Sequence, residues 1–254
     1  MNIIVVYPGR FHPFHLGHKA SYDWLINKFG EGVYVATSNV QNDQDSPFSF
    51  SDKTQMMTKL GIPSSHIVQT RNPYQVKEIT DGLTAEEKAD TALVFAVSAK
   101  DAERFSFAPK KNGDPSYLQP LPENLKQLKP MTKQGYVVVT PTVKFRVKGA
   151  DADSASAIRK LYQHGNDQDR MDIITDLYGE PDSALKDVFD QRLGTQKDKV
   201  VQYGTPIIDG GEAKVGIMHE ARLRQLSKQI QRVRQQIQEA RNINPDYIDE
   251  KISR

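Results

Sequence analysis

The sequence predicts an α/β fold: a doubly wound, Rossmann-like parallel sheet with a helical C-terminal part and a long C-terminal helix. Three observations favour it. Short β-branched apolar runs alternate with amphipathic stretches over the first 150 residues, an alternation typical of parallel sheets with helices on both faces. A second stretch, from Ser154 to about Leu193, has helical character throughout, and the last part of the chain carries a heptad-like apolar pattern.

Five runs have the composition of strands that are buried on both faces of a sheet. They are residues 2–7, 32–38, 66–69, 91–98 and 136–143. Helices are predicted between them. Residues 16–29 place apolar side chains on one face, and residues 51–60 follow a Ser-rich cap. Asn72 before Pro73 predicts another helix start, and Thr84 begins a sequence with the spacing of a capping box.

Residues 108–131 interrupt this alternation with five prolines. Such a segment is too rich in proline for a helix and predicts a long loop. Long loops inside compact domains are often lids or binding loops, and a surface insertion is the equally weighted alternative.

The chain divides into three predicted parts: an α/β core over residues 1–165, a helical continuation over 166–199, and a linker with a basic coiled-coil-like helix over 200–254. Gly165 and residues 179–181 separate the helical stretch after Ser154 into three pieces. Residues 200–211 are interpreted as a linker or hairpin.

The predicted last helix, residues 213–242, has an apolar seam with spacings of three and four residues. The seam consists of Leu223, Leu226, Ile230, Val233, Ile237 and Ala240. Residues 213–241 also hold seven Lys or Arg against two Glu. Packing on the same domain or a homo-oligomer seam is the favoured interpretation. A basic arm for nucleic acid is the alternative, and it is less favoured because no aromatic side chains interleave with the basic ones.

The composition restricts the class of protein. The chain has 254 residues, 34 Lys and Arg against 32 Asp and Glu, and no Cys. The absence of Cys excludes disulfide scaffolds, Cys-based zinc sites and thiol catalysis. No apolar run is long enough for a membrane span, and the N-terminus lacks the features of a secretory signal. We therefore expect a soluble cytoplasmic protein with no membrane partner.

The segment that carries chemistry, residues 9–18, reads Gly-Arg-Phe-His-Pro-Phe-His-Leu-Gly-His and lies between the first predicted strand and helix. Ligands of open parallel sheets bind at this position, beside helix N-termini. Gly9 allows a sharp turn and Gly17 a close approach. His15 and His18 share a face of the first helical turn. Two imidazoles beside free backbone N–H groups are suited to bind phosphate oxygens.

This segment resembles the HxGH nucleotidylyltransferase superfamily, and it is most similar to the archaeal-type nicotinamide-nucleotide adenylyltransferase branch. Residues 46–49, Ser-Pro-Phe-Ser, followed by Lys53 resemble the Asn-Pro-Phe-Thr segment of that branch. The basic C-terminal extension also resembles the decorated versions that phage genomes encode, which would place the protein in a host cytoplasm.

A second segment, residues 154–159, resembles the Ser-x-Thr-x-Ile-Arg signature that the superfamily carries at a helix start. It reads Ser-Ala-Ser-Ala-Ile-Arg. Ser154 is a good N-cap, and the free N–H groups of that turn are suited to the β- and γ-phosphates of a nucleotide. Ser156 keeps the hydroxyl of the family's Thr, and Arg159 is expected to reach a phosphate bidentately.

The resemblance implies nucleotidyl transfer, with AMP from ATP the first choice and nicotinamide mononucleotide as the acceptor. It implies catalytic roles for His15, His18 and Arg159, with Mg²⁺ bound mainly through the nucleotide phosphates. The predicted nucleotide-binding residues are Gly9, Arg10, Phe11, Gly17, Ser154, Ser156 and Ile158. Weaker candidates for acceptor binding are Lys53, Arg71 and Asn72, and the same choice between acceptor contact and capping applies to Lys100, Asp101 and Arg104.

Other interpretations remain at this stage. His12 is either a third phosphate ligand or, slightly favoured, a solvated side chain. His12, His15 and His18 as zinc ligands are disfavoured because no carboxylate or Cys nearby completes a tetrahedral set. An aminoacyl-tRNA synthetase is disfavoured because the chain is short and has no Lys-Met-Ser-Lys-Ser loop. The competing function is a catalytically silent nucleotidyltransferase fold that acts as a binding or assembly protein through its basic C-terminal helix.

Overall fold

The structure, a computed structural model, describes residues 1–151 and 154–194. Its centre is a six-stranded sheet in which every pairing is parallel. The strands are β1 (Asn2–Pro8), β2 (Val33–Thr37), β3 (Ile67–Gln69), β4 (Thr91–Val97), β5 (Leu118–Pro120) and β6 (Gly135–Val139). They lie in the order β3-β2-β1-β4-β6-β5. The order reverses between β1 and β4, where open sheets form a crevice at the carboxyl ends of the strands.

Eight α-helices and a small hairpin complete the described part of the chain. The helices are α1 (Leu16–Phe29), α2 (Phe50–Lys59), α3 (Lys77–Thr80), α4 (Ala85–Ala89), α5 (Ala99–Ala102), α6 (Ala155–His164), α7 (Asp167–Tyr178) and α8 (Ser183–Leu193). Short 3₁₀ helices occupy Ser64–His66 and Leu125–Gln127. The hairpin pairs β7 (Arg146–Val147) with β8 (Ala150–Asp151).

Each face of the sheet is covered by its own apolar cluster, because successive side chains of a strand point to opposite faces. On β1, Val5 and Tyr7 join a large cluster that includes side chains of α1, α2 and α6 to α8. Val6 points the other way, into a smaller cluster that includes Val76 and Met131. This two-sided burial confirms the predicted doubly wound, Rossmann-like fold.

The three-helix division after Ser154 is observed, and the capping box at Thr84 starts α4 as expected. The helix predicted at Asn72 and Pro73 does not form. The Asn72 side chain instead accepts a hydrogen bond from the N–H of Tyr74 at 3.0 Å, which makes a turn, and α3 begins only at Lys77.

The Pro-rich segment, residues 108–131, also differs from the prediction. It was predicted to be a loop, and it contains the strand β5. Among the described residues this strand lies at the edge of the sheet and pairs with β6 alone, a position at which Pro120 costs no ladder hydrogen bond. The fifth predicted strand ends at Val139 rather than Val143.

Two predicted features lie outside the described residues: the linker over residues 200–211 and the basic helix over 213–242. Within the residues that are described, no helix is both long enough and apolar enough to cross a membrane.

Candidate active site

The loop between β1 and α1 lies at the point where the sheet order reverses. The N–H of Gly9 donates to Ala36 O at 3.0 Å, which continues the pairing with β2 one residue past β1. Phe11 adopts a φ of 50°, and its ring packs edge-on against Tyr7 and His18. A Cβ on Gly9 would lie 2.4 Å from that ring. Gly9 and Phe11, predicted to bind nucleotide, thus shape the loop by packing.

His15 and His18 lie together at the start of α1, with ring centroids 4.0 Å apart. His15 is the N-cap of the helix, and its Nδ1 accepts a hydrogen bond from the N–H of Gly17 at 3.1 Å. His18 is packed between Phe11 and Phe14, and its buried Nδ1 has no hydrogen-bond partner among the described residues. The shared face predicted for the two imidazoles is present.

Both rings are neutral at pH 7. Burial lowers the pKa of His15 to about 4. Burial, together with the neighbouring His15, lowers the pKa of His18 well below its usual range. Since the Nδ1 of His15 accepts a hydrogen bond from the N–H of Gly17, the neutral ring carries its proton on Nε2. His15 is therefore set as a hydrogen-bond donor through Nε2, which suits an anionic ligand.

A cleft of about 480 Å³ opens beside the two imidazoles. Its walls are the ends of β1, β4 and β6 with the first turns of α1 and α6, and its lining includes His15, His18, Lys100 and Ser154. Ser154 caps α6, with its Oγ accepting from the N–H of Ala157 at 3.2 Å. Two helix N-termini, whose leading N–H groups have no partner within the helix, thus meet at one cleft.

Phe145 is part of this cleft and was missed in the sequence analysis. Its ring stacks on His15 with centroids 4.5 Å apart and an interplanar angle of 13°. It also lies 3.4 Å, measured from its Cβ, from where a Cβ on Gly17 would be. Its position shortly after the fifth predicted strand was the available signal, because residues that follow parallel strands meet at this edge of the sheet.

A second cleft, of about 450 Å³, lies on the other side of the same loop. Its lining includes Gly9, Arg10, Asn72, Asp101 and Arg104. Arg10 is exposed at its edge. The structure thus brings one weak acceptor candidate, Asn72, to a cleft that adjoins the first.

Arg159 does not face either cleft. It is 7% exposed, and its guanidinium donates to His12 O at 2.8 Å and to Gln44 O at 3.0 Å. A side-chain carboxylate, that of Asp45, lies 3.6 Å away. In this structure Arg159 holds the loop that precedes α1, whereas the sequence analysis expected it to reach a phosphate.

Several other candidates also differ from expectation. Lys53 is fully buried, so it presents no surface to an acceptor. Ile158 is a core residue. The N–H of Arg71 donates to Glu78 Oε1 at 2.7 Å, and its side chain is not part of either cleft.

His12 is buried rather than solvated, with Nδ1 accepting from the N–H of Phe48 at 3.3 Å. Burial and the charges of Lys53, Arg159 and Arg10 lower the pKa of His12 to about 3. Ser156 remains exposed, with its Oγ 3.0 Å from that of Ser154.

The described residues contain no group of three or more His, Asp or Glu side chains arranged to hold a metal ion. The imidazole pair is accompanied by phenylalanine rings rather than carboxylates. Within the described residues, the imidazole pair therefore has no metal-ligand set beside it.

The chain is 37% identical over 67 residues to a nicotinamide-nucleotide adenylyltransferase of Sulfurisphaera tokodaii. That alignment covers 26% of this chain and 38% of the relative, so the chain spans well under two thirds of the relative's length. The comparisons lend no support to a phage origin.

A solved structure, a Plasmodium falciparum nicotinic acid mononucleotide adenylyltransferase complexed with NaAD, overlaps 81% of this chain and all of that one. The identity is 15% and the TM-score is 0.41.

The model of a whole family matches the chain over residues 6–160, under the description cytidylyltransferase-like. This match covers more than half of the chain, from β1 to α6, and so includes both segments that form the first cleft. The chain therefore belongs to the cytidylyltransferase-like family.

Proposed function

We propose that the protein is a nucleotidyltransferase that transfers AMP from ATP to a small acceptor bearing a phosphate group, such as nicotinamide mononucleotide, and releases pyrophosphate. The observation that carries the proposal is the pair of neutral imidazoles, 4.0 Å apart, in a cleft that also receives the N-terminus of α6. Such a site offers several hydrogen-bond donors to phosphate oxygens. Because the donors are already held in place by the fold, they lose little conformational entropy when the phosphates bind.

The reaction is a direct displacement at the α-phosphorus. An oxygen of the acceptor's phosphate forms a bond to that phosphorus while the bond to the oxygen that bridges to the β-phosphorus breaks, and the electron pair leaves with pyrophosphate. A phosphate monoester is largely dianionic at pH 7, since its second pKa is about 6. It needs no base to attack, which agrees with imidazoles that act as donors rather than as bases.

In this scheme His15 and His18 donate to the α-phosphate and to the bridging oxygen, on which negative charge grows as the bond breaks. The first turn of α6, with Ser154 and Ser156, receives the β- and γ-phosphates. Arg159 is proposed to contribute by holding the loop through His12 O.

Magnesium enters as part of the substrate, bound to the phosphates of ATP. Mg²⁺ commonly keeps several water ligands and binds through substrate phosphates. That mode suits a cleft around which the described residues provide no metal-ligand set.

Two features support nicotinamide mononucleotide as the acceptor. The relative from Sulfurisphaera tokodaii carries that substrate in its name. The second cleft adjoins the first across the loop at Gly9 and is bordered by Arg10 and Arg104. Arg104 pairs with Asp101 at 3.3 Å, and the exposed Arg10 is suited to bind a phosphate. One cleft would then hold ATP and the other the acceptor, with the loop between them.

The test is pyrophosphate release with Mg²⁺ from ATP or CTP against nicotinamide mononucleotide, phosphopantetheine, flavin mononucleotide and glycerol 3-phosphate. We expect turnover with ATP and nicotinamide mononucleotide. No turnover with any pair, in protein that binds ATP, would refute the proposal and favour a catalytically silent assembly protein. The oligomeric state of the full chain and of a truncation after Gly211 tests the proposed role of residues 213–242 as an oligomer seam.

A further inference from the structure

We propose that Lys53 is a positioning residue of the acceptor cleft: its buried ammonium holds the floor of that cleft in place and supplies positive charge beneath it. The proposal rests on the proposed function, because it assigns the second cleft to the acceptor. The sequence analysis expected Lys53 to touch the acceptor directly, and the structure points instead to an indirect role.

The contacts of Lys53 place it directly under the cleft. Its Nζ donates to Thr37 Oγ1 at 2.9 Å, to Arg10 O at 3.3 Å and to Ser38 O. Arg10 and Ser38 both line the second cleft. All three donors of the ammonium are therefore used, two of them on backbone oxygens of the cleft's own lining.

The position of these contacts matters for the shape of the site. The pairing of β1 with β2 ends where Gly9 donates to Ala36 O, and the two chains then separate. Lys53, from α2, binds Arg10 O on one chain and Ser38 O on the other, so it joins them just past the end of the ladder. Thr37 Oγ1 also donates to Arg10 O at 3.4 Å. This junction fixes the direction of the peptide between Arg10 and Phe11, which leads into the imidazole pair.

The positive charge of the Lys53 ammonium is unusual for a side chain whose contacts are only structural. Lys53 is 0% exposed, and within the described part of the chain no carboxylate forms an ion pair with it; the neighbouring Asp52 pairs with Arg192 at 2.7 Å instead. Burying an ammonium without a counter-ion is costly, whereas a neutral donor would make the same contacts more cheaply. An anionic ligand in the cleft above would offset that cost, because the charge is poorly screened there.

The charge on Lys53 can be removed within an accessible pH range. Burial lowers the pKa of Lys53 to about 8, and the negative charge of Asp52 opposes this shift only in part. The other ionisable groups around the loop are His12, whose pKa burial lowers to about 3, and the side chains of Arg10 and Arg159. Tyr74, Asp101 and Arg104 line the same cleft. Lys53 therefore loses most of its charge between pH 7 and 9.5.

The experiment measures the Kd of nicotinamide mononucleotide by calorimetry, with and without a non-reactive ATP analogue, at pH 7 and 9.5. The proteins are the wild type, Lys53→Met, and Lys126→Met as a matched control at an exposed lysine. We expect Lys53→Met to weaken acceptor binding by about tenfold at pH 7, a larger factor than that by which it weakens binding of the ATP analogue. The wild type should weaken by a similar factor on going to pH 9.5, and Lys53→Met should not.

Three results would overturn the proposal. The first is equal acceptor affinity in Lys53→Met and the wild type at pH 7. The second is no acceptor binding by the wild type. The third applies if Lys53→Met does not fold: the wild type alone then decides, and an unchanged Kd from pH 7 to 9.5 refutes the role. Binding without pyrophosphate release would leave Lys53 in place and refute the transferase proposal instead, so the two failures are distinguishable.

Discussion

Replacing Gly17 by Ala tests how closely the first turn of α1 is fitted to the His15 ring. Gly17 donates its N–H to His15 Nδ1, and its missing side chain leaves room for that ring. A Cβ at this position would lie 2.9 Å from Cε1 of His15, 3.1 Å from its Nδ1 and 3.4 Å from the Cβ of Phe145. The stacked Phe145 ring restricts the direction in which His15 can move.

The size of the effect follows from these distances. Ordinary van der Waals contact of a Cβ begins at about 3.4 Å, so the His15 ring must retreat by about 0.5 Å from its position at 2.9 Å. A misplacement of about 1 Å costs a catalytic group roughly 10²-fold. We therefore expect Gly17→Ala to lower kcat by about 10- to 100-fold. The helix should persist, because Ala is a better helix former than Gly.

The assay is pyrophosphate release at saturating ATP and acceptor, with thermal unfolding measured on the same samples. Gly82→Ala is the matched control, since a Cβ there meets no atom within 4 Å. Gly17→Ala with wild-type kcat would show that the ring's position does not matter for transfer, and would refute the role given to His15. A large loss of thermal stability would instead mean that the clash destabilises the folded protein as a whole and does not displace the His15 ring alone.

Three further predictions follow from the site. His18→Ala should lower kcat by about 10²–10³, as for the loss of one transition-state donor, and steady-state kinetics with an unchanged kcat would remove His18 from the mechanism. Ser154→Ala should destabilise α6 by about 1 kcal/mol through the lost cap and weaken ATP binding. Wild-type ATP affinity in calorimetry would show that Ser154 caps the helix but does not contribute to ATP binding. The free energy of unfolding, from denaturant titration, should fall as pH drops from about 6.5 towards 4, because unfolded His15 then binds a proton that the folded protein, with its pKa of about 4, does not. Unfolding that is independent of pH in that window would contradict the neutral state of the buried ring.

The parts of the fold that were predictable from the sequence have strong local signals. The buried strands are continuous apolar runs, and β1 and β4 match their predicted starts at Asn2 and Thr91. The start of α1 was predictable from the motif, and the grouping of His15 with His18 follows from their spacing on a helix.

The parts that were not predictable depend on tertiary contacts. Asn72 and Pro73 carry the composition of a helix start, but the Asn72 side chain forms a turn with Tyr74 instead, a known competitor of the cap. The strand β5 has three residues, and its extended conformation depends on its pairing with β6. Its sequence contains a proline, so nothing local distinguishes it from the surrounding loop.

The positions of two charged side chains at the site also depend on tertiary contacts and could not be predicted from the sequence alone. Lys53 was predicted to bind the acceptor and Arg159 to reach a phosphate, and both are buried against backbone oxygens of the loop before α1. For Lys53 a signal existed: it shares a helical face with Met56 and Met57, which are fully buried. A lysine on the same helical face as core residues means either that the face was predicted wrongly or that the lysine is buried with polar partners inside the protein. Only the tertiary structure distinguishes these two cases.

The measurement that tests the central claim most directly is the mass of the product formed from ATP, Mg²⁺ and nicotinamide mononucleotide by the wild type and by His18→Ala. The account predicts a dinucleotide joined by a pyrophosphate bond, formed in equal amount with free pyrophosphate, and about 10²–10³-fold less of both per unit time in the variant. Formation of ADP or AMP without a dinucleotide would contradict it. So would the absence of any product from wild-type protein that binds both ligands.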